Sequence, residues 1–388
     1  MWEVTDKLET KLKSKAFHEF YEATEIIVNP EIRKWKDGGG KVVGYFCSAM
    51  PEEIITAAGM LPFRIRATGS EGTELSDSHF SSINCSFPRH AFNMALQGQY
   101  SFMDGLLMFN SCDNIRRMYD IWIQQVETPF VQILSLPKKA DTPQVEFFRD
   151  NLAELRDQME THFAVQITDD KLWEAIKLHN QTRRLLKSLY ELRKADDPPI
   201  TGAEMLAVTV ASTAMPKQHF NELLTGLVDK LIATHGGKEH RARLMIIGSL
   251  LDNPDYIDVI EDQGGLVVTD SQCFGSKLLW QTVDENVPDP LMALARYCVM
   301  DRPSCPRMYT EYEKRVDYIR NMIRDFKVDG VILERMAFCE VWGMEQYLLV
   351  NDFKEWDIPL LVLDREYTLS GVGQLRTRVQ AFLETIGR

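Results

Sequence analysis

Two hydrophobic rhythms alternate along the chain. Short, continuous apolar runs of strand length occur at 41–46 (Lys-Val-Val-Gly-Tyr-Phe), 62–65, 104–109 and 129–134. Stretches with apolar positions every three to four residues separate them, the spacing of an amphipathic helix. Pro51-Glu52-Glu53 carries helix-start chemistry, with proline in the first turn and acids at the positive end of the dipole, and Gly59 closes that helix. A further helix is expected from Pro88 and another over 113–125, with a Gly/Ser/Thr/Asp-rich loop at 67–85. Strands alternating with helices predict parallel pairing and layered α/β architecture.

From 143 to about 235 the strand signal stops. Leu172, Ile176, His179, Leu186 and Leu189 follow the helical period, and Asp196-Asp197-Pro198-Pro199 breaks it. Strands return at 244–247, 266–269, 330–333 and 360–363, and a final helix covers 372–386. The expected organisation is a first α/β domain with an N-terminal helix (helix 5–27, domain 1–142), a helical bridging segment (143–240) and a second α/β domain (241–388). An internal echo supports two related halves. Asp104-Gly105, a strand, Cys112, a helix, Pro129 and a strand recur in order as Asp329-Gly330, a strand, Cys339, a helix, Pro359 and a strand.

Composition narrows the function. The 388 residues are 45% hydrophobic and 26% charged, enough apolar content for proper cores and room for two to three domains. With 44 Lys+Arg against 57 Asp+Glu, the net charge of −13 repels phosphate backbones, so nucleic acid is not an expected partner. No apolar run is long enough for a membrane helix, and the N-terminal residues lack a signal core, so no membrane association and a cytoplasmic location are expected.

The seven cysteines then change the picture. An odd count without an export signal points to reduced thiols. Cys47, Cys112, Cys273 and Cys339 each follow a strand; Cys85 and Cys305 lie in loops ahead of helices; Cys298 sits inside a helix. In open α/β sheets, ligands bind beyond the carboxyl ends of strands, and helix N-termini lower thiol pKa values. This placement favours ligands over packing. No C-x-x-C pair or Cys/His cluster suggests zinc, and the compact ferredoxin spacing is missing. Dispersed single thiolates suit an iron–sulfur cluster in a cleft and equally a redox-active thiol; spacing leaves both open. Phosphate-loop, dinucleotide and serine-hydrolase motifs do not occur. His90, beside Arg89, and Glu53, beside Glu52, are candidate catalytic groups near the crevice, although dipole complementation explains the two glutamates as well. Arg116 and Arg117 either face an acidic or phosphorylated group or are simply solvated. Phe46, Phe87, Met108, Phe109, Phe274, Met336 and Phe338 flank the cysteines and are expected to shield them, or to pack the core.

The stretches GYFCSAMPEEIITAAGMLPFRI (44–65), NCSFPRHAFNMALQGQYSFMDGLLMFNSCDNIRRMYDIW (84–122), RYCVMDRPSCPRM (296–308) and the regions 243–275, 315–349 and 358–384 together resemble the 2-hydroxyacyl-CoA dehydratase / benzoyl-CoA reductase family over nearly the whole chain. The resemblance implies two flavodoxin-like, doubly wound parallel-sheet domains plus helices. It implies a cytoplasmic, oxygen-sensitive subunit of anaerobic metabolism, paired with a larger related sister subunit or with itself. A separate ATP-hydrolysing iron–sulfur activator, fed indirectly by ferredoxin, would supply low-potential electrons, and the substrate would be an acyl-CoA reduced to a ketyl radical anion. By position, Cys47, Cys85, Cys112 and Cys339 match cluster ligands, and Cys273 and Cys305 match cysteine positions of some members. The cofactor implied is a 4Fe–4S cluster or, with six thiolates, an 8Fe–9S double cubane. Length and the SCDNIRRMYDIW run look most like the smaller cluster-bearing subunit of ATP-dependent benzoyl-CoA reductase, which yields a cyclic dienoyl-CoA. Dehydratase subunits and homodimeric double-cubane reductases share most of these motifs.

Overall fold

A computed structural model describes residues 16–234, 236 and 239–386. Its frame is two four-stranded parallel sheets of identical topology. The first contains β1 (Val42–Tyr45), β2 (Leu61–Arg64), β3 (Gly105–Phe109) and β4 (Val131–Leu134) in the order β2-β1-β3-β4. The second contains β5 (Ala242–Gly248), β6 (Gly265–Ser271), β7 (Gly330–Met336) and β8 (Leu360–Arg365) in the order β6-β5-β7-β8. The repeated order realises the echo in the sequence: two flavodoxin-like halves, each with its switch point between the first and third strands.

The strands form because their residues are apolar on both faces. Every residue of β1, β2, β3 and β5 is buried, as a parallel sheet covered on both sides requires. Alternate residues serve different cores. On the first sheet, Val43, Tyr45, Leu107 and Phe109 face one layer, while Val42, Leu106 and Met108 face the other. The second sheet divides likewise, with Met245, Ile247, Val331 and Leu333 on one side and Leu244, Ile246 and Ile332 on the other. The edge strands β4 and β8 are only part-buried.

The helices depart from the sequence expectations mainly at their ends. The helix expected over 5–27 lies partly outside the described residues; within them, α1 (His18–Glu25) stops, and Asn29 caps a separate α2 (Pro30–Asp37) by accepting the Ile32 N–H at 3.0 Å. The Pro51 helix is α3 (Glu52–Ala57), and α4 (Ser86–Leu96) begins before Pro88 with Cys85 as its cap. After α5 (Asp113–Gln125), the helical stretch resolves into α6 (Thr142–Phe163), α7 (Asp169–Glu191), α8 (Gly202–Ala211) and α9 (Lys217–Ile232). A Thr201/Glu204 capping box starts α8. Then follow α10 (Pro254–Glu261), α11 (Pro290–Arg296), α12 (Tyr312–Asp325), α13 (Glu340–Glu355) and α14 (Val372–Ile386).

Chain order and spatial order differ. Phe17, Phe20 and Tyr21 at the N-terminal side pack in the core of the second sheet. Conversely, Val283, Leu291, Leu294, Tyr297 and Met308, which follow β6, pack in the core of the first. This exchange carries the Cys305 loop across to the first half. Among the described residues, no helix is long and apolar enough to cross a membrane.

Candidate metal centre

The loops leaving the carboxyl ends of the strands meet between the two sheets. One cavity there, of about 160 Å³, is lined by Cys47, Cys85, Cys112, Cys273, Cys305 and Cys339 together. Six thiols far apart in sequence thus share one wall. Cys298 is not among them: it is buried in a π-helical turn, Tyr297–Asp301, and burial pushes its thiol up to about 12.

Each thiol has a local reason for its position. Cys47 sits in the turn after β1, where the Ala49 N–H approaches its Sγ at 3.5 Å. Cys85, Cys112 and Cys339 occupy the cap positions of α4, α5 and α13. Cys273 follows β6, and Cys305 lies in the Pro-Ser-Cys-Pro loop, the most exposed of the set. Ser249 directly follows β5. Its hydroxyl hydrogen-bonds Cys339 and accepts the Met336 N–H at 3.0 Å.

The expected lowering of thiol pKa values by helix N-termini is largely overridden by burial. Desolvation raises Cys47 and pushes Cys112 up to about 12. Cys85 is also raised, because its thiol donates a hydrogen bond to Cys339, and that bond lowers Cys339. Backbone N–H donors at Cys47, Cys85 and Cys112 do not outweigh burial; Cys339, which accepts from Cys85, is lowered to about 6.

Cations surround the thiols. Arg64, buried at the end of β2, donates from Nη2 to Cys273 Sγ at 3.1 Å. Arg307 lines the cavity and is anchored on the Leu136 and Pro137 carbonyls of the first half. Arg302 reaches Ser48 beside Cys47, donating to its carbonyl and to Oγ, the latter at 2.9 Å. Lys277 is buried over the Trp342 ring at 5.4 Å. Desolvation pulls its ammonium down, and Cys305 and Cys273 oppose that. None of these four was singled out from the sequence, although Arg302 and Arg307 bracket the Cys305 loop.

The apolar wall comprises Phe46, Phe87, Ile115, Leu250, Met336 and Trp342. Of the seven expected shielding residues, Phe46, Phe87 and Met336 line the cavity. Met108, Phe109 and Phe274 belong to the cores, and Phe338 is exposed with φ +60°.

The two candidate catalytic groups lie outside the cavity wall. His90 Nδ1 hydrogen-bonds Ser70 Oγ at 2.8 Å and its ring packs near Tyr367; burial lowers its pKa. Arg89 is taken up by Asp77. Glu53 is fully buried and paired with Arg183 at 2.6 Å, while its Oε2 has no hydrogen-bond partner. Glu52 joins Tyr45 and Lys217. Arg116 and Arg117 are exposed and both pair with Asp113.

A second cleft of about 540 Å³ opens beside the thiols, sharing Ser111, Cys112, Arg307, Glu340 and Val341 with their cavity. Arg116, Lys138, Tyr309 and Tyr312 line it further, and the apolar side chains of Met344 and Leu348 are exposed at its rim. Among the described residues, no three His, Cys, Asp or Glu side chains converge closely enough to hold a single metal ion.

The family model for the 2-hydroxyglutaryl-CoA dehydratase D-component matches residues 47–386. One of the benzoyl-CoA reductase subunits of Thauera aromatica is 26% identical over 362 residues, covering 91% of this chain and 93% of its own. The (R)-phenyllactyl-CoA dehydratase beta subunit of Clostridium sporogenes is 24% identical over 378 residues, 96% of this chain and 99% of its own. The (R)-2-hydroxyglutaryl-CoA dehydratase beta subunit of Acidaminococcus fermentans is 23% identical over 359 residues, 92% and 95% respectively.

Proposed function

The chain belongs to the 2-hydroxyglutaryl-CoA dehydratase D-component family, and from that premise we propose that it is the iron–sulfur subunit of an ATP-driven, radical-type acyl-CoA reductase acting on benzoyl-CoA. Its relatives are acyl-CoA reductase and dehydratase subunits, and it is an enzyme subunit of that group. The observation that carries the reading is the convergence of six thiols, and of no other cysteine, on one cavity.

The donor set suits such a cofactor. The cavity wall offers soft thiols and no histidine, the chemistry that selects iron–sulfur clusters. In a cubane each thiolate meets a different iron, so its ligands stand farther apart than those of a mononuclear site. Cys47, Cys85, Cys112, Cys273, Cys305 and Cys339 would hold the group, and six donors favour the 8Fe–9S double cubane over one 4Fe–4S cluster. When bound, the cluster supplies low-potential electrons one at a time.

This chain's own residues do the rest. Phe46, Phe87, Ile115, Met336 and Trp342 form an apolar wall beside the thiols that limits the access of water and oxygen, with Cys305 left the most exposed. Arg64, Arg307 and Lys277 offset thiolate charge in a low-dielectric space, where each charge counts for more than in water. The adjoining cleft has room and cations, Arg116 and Lys138, for an acyl-CoA thioester and its phosphates. A larger sister subunit, or a second copy, and an ATP-hydrolysing iron–sulfur activator fed by ferredoxin complete the system.

The second reading is an (R)-2-hydroxyacyl-CoA dehydratase subunit, favoured by the dehydratase relatives. Anaerobic purification tests the common premise: a brown protein with about four irons per chain supports a single cubane and about eight the double form. A colourless protein without iron or acid-labile sulfide refutes both readings. Turnover with the activator then separates them, by reduction of benzoyl-CoA or dehydration of (R)-2-hydroxyacyl-CoA.

A further inference from the structure

Arg64 belongs to the first sheet but spends its side chain on the second half. Its Nε donates to the Phe46 carbonyl at 3.2 Å, within its own half. Its Nη1 donates to the Cys273 carbonyl at 2.5 Å and its Nη2 to Cys273 Sγ at 3.1 Å. The guanidinium also stands 3.6 Å from the centroid of the Phe274 ring. The residue is 1% exposed.

A buried guanidinium is costly unless hydrogen bonds and opposite charge compensate it. The acceptors here are two carbonyls and a sulfur, with no carboxylate among them. The buried Asp252 carboxylate acts on Arg64 through space without a hydrogen bond, which leaves the Cys273 sulfur as the one bonded acceptor that can itself carry charge. The planar fork also does what a lysine ammonium does not. Two donors of one rigid plane engage the carbonyl and the sulfur of the same residue, which fixes the Cys273 side chain relative to its backbone. Phe274, stacked beneath, holds the fork in plane.

We infer that Arg64 is the positioning residue for Cys273: it aims that thiolate into the cavity and stabilises negative charge on its sulfur across the boundary between the halves. The inference rests on the iron–sulfur reading above. A hydrogen bond and a positive charge at a ligand sulfur favour the more electron-rich, reduced state, so removing them moves the potential to more negative values.

The test uses the full chain purified without oxygen, as wild type, Arg64→Gln, Arg64→Lys, Cys273→Ser and the Arg64→Gln/Cys273→Ser double variant. Iron and acid-labile sulfide are counted, and the midpoint potential is read by EPR-monitored redox titration. Arg64→Gln is expected to shift the potential negative or lose iron. Arg64→Lys, which keeps charge without the fork, is expected to shift it less. In the Cys273→Ser background, the Arg64 substitution is expected to add nothing further. A folded Arg64→Gln with wild-type iron content and potential overturns the inference, as does an equal shift in the Cys273→Ser background. If Arg64→Gln does not fold, Arg64→Lys decides: a potential and iron content unchanged there overturn it too. A wild-type chain without iron overturns the cluster reading itself, a result distinct from a wild-type cluster that Arg64 variants leave unmoved.

Discussion

Cys85 caps a helix of the first half, Cys339 caps a helix of the second, and the two thiols hydrogen-bond to each other across the cavity. The bond lowers Cys339 and raises Cys85, so Cys339 ionises first, and a thiolate beside a thiol is the arrangement from which disulfides form. In the cluster-free chain, mild oxidation with diamide is expected to link Cys85 to Cys339 ahead of any other pair. Peptide mapping by mass spectrometry checks this; a pairing that leaves both residues free contradicts the geometry.

Serine at a cavity cysteine keeps the volume and removes the soft donor. Cys85→Ser, Cys339→Ser and Cys47→Ser are each expected to lose iron from anaerobically purified protein, whereas Cys298→Ser, outside the cavity, keeps it. Iron retained in all three of the first set would show that the ligands lie elsewhere.

Arg315 and Glu345 form a bidentate pair, Nε to Oε1 at 2.6 Å and Nη2 to Oε2 at 2.9 Å, with both side chains about as buried as the core. Arg315 also donates to the Cys305 and Met308 carbonyls, so the pair ties α12 and α13 to the Cys305 loop. Glu345→Ala leaves a buried, uncompensated guanidinium and is expected to cost about 3–5 kcal/mol in urea unfolding. A loss below about 1 kcal/mol argues that water or another acid reaches Arg315.

His179 gives the stability a pH dependence of known sign. Its Nε2 meets Thr56 Oγ1 at 2.9 Å, and burial, helped by Lys217 and Arg183, holds the imidazole well below its ordinary 6.5. The unfolded chain therefore binds a proton that the folded one refuses. Its contribution to stability is intact above pH 6.5 and falls as the pH drops below it, by up to about 1.4 kcal/mol per pH unit. His179→Gln is expected to flatten the urea-unfolding free energy between pH 7 and 5; equal slopes for wild type and variant would contradict a neutral buried imidazole.

Gly248 closes β5 with φ +145°, and a Cβ there would run into the Glu334 backbone carbonyl. That contact sits where Glu334, pushed up to about 7 by burial, meets Arg365 at 2.6 Å. Gly248→Ala is expected to destabilise by more than about 2 kcal/mol, read as a lowered thermal midpoint; a neutral substitution would mean that the strand end yields easily.

Much of this protein is written locally. Continuous apolar runs such as Leu244–Ile247 and Gly105–Phe109 declare buried parallel strands, and the repeated Asp-Gly, strand, cysteine, helix order declares two like halves, because periodicity and turn chemistry act over a few residues. That four cysteines follow strands is equally local, and α/β topology sends such loops to one edge. What the tertiary structure alone decided is which side chains meet there. The crossing of residues 283–308 into the first core, which delivers Cys305, and the reach of Arg64 to Cys273 depend on contacts between segments far apart in the chain. Glu53 and His90 lie close to cysteines along the chain, and it is packing that sets them against Arg183 and Ser70. Short-range rules see neither burial nor the partner that a buried charge must find, and those two quantities shape this cavity.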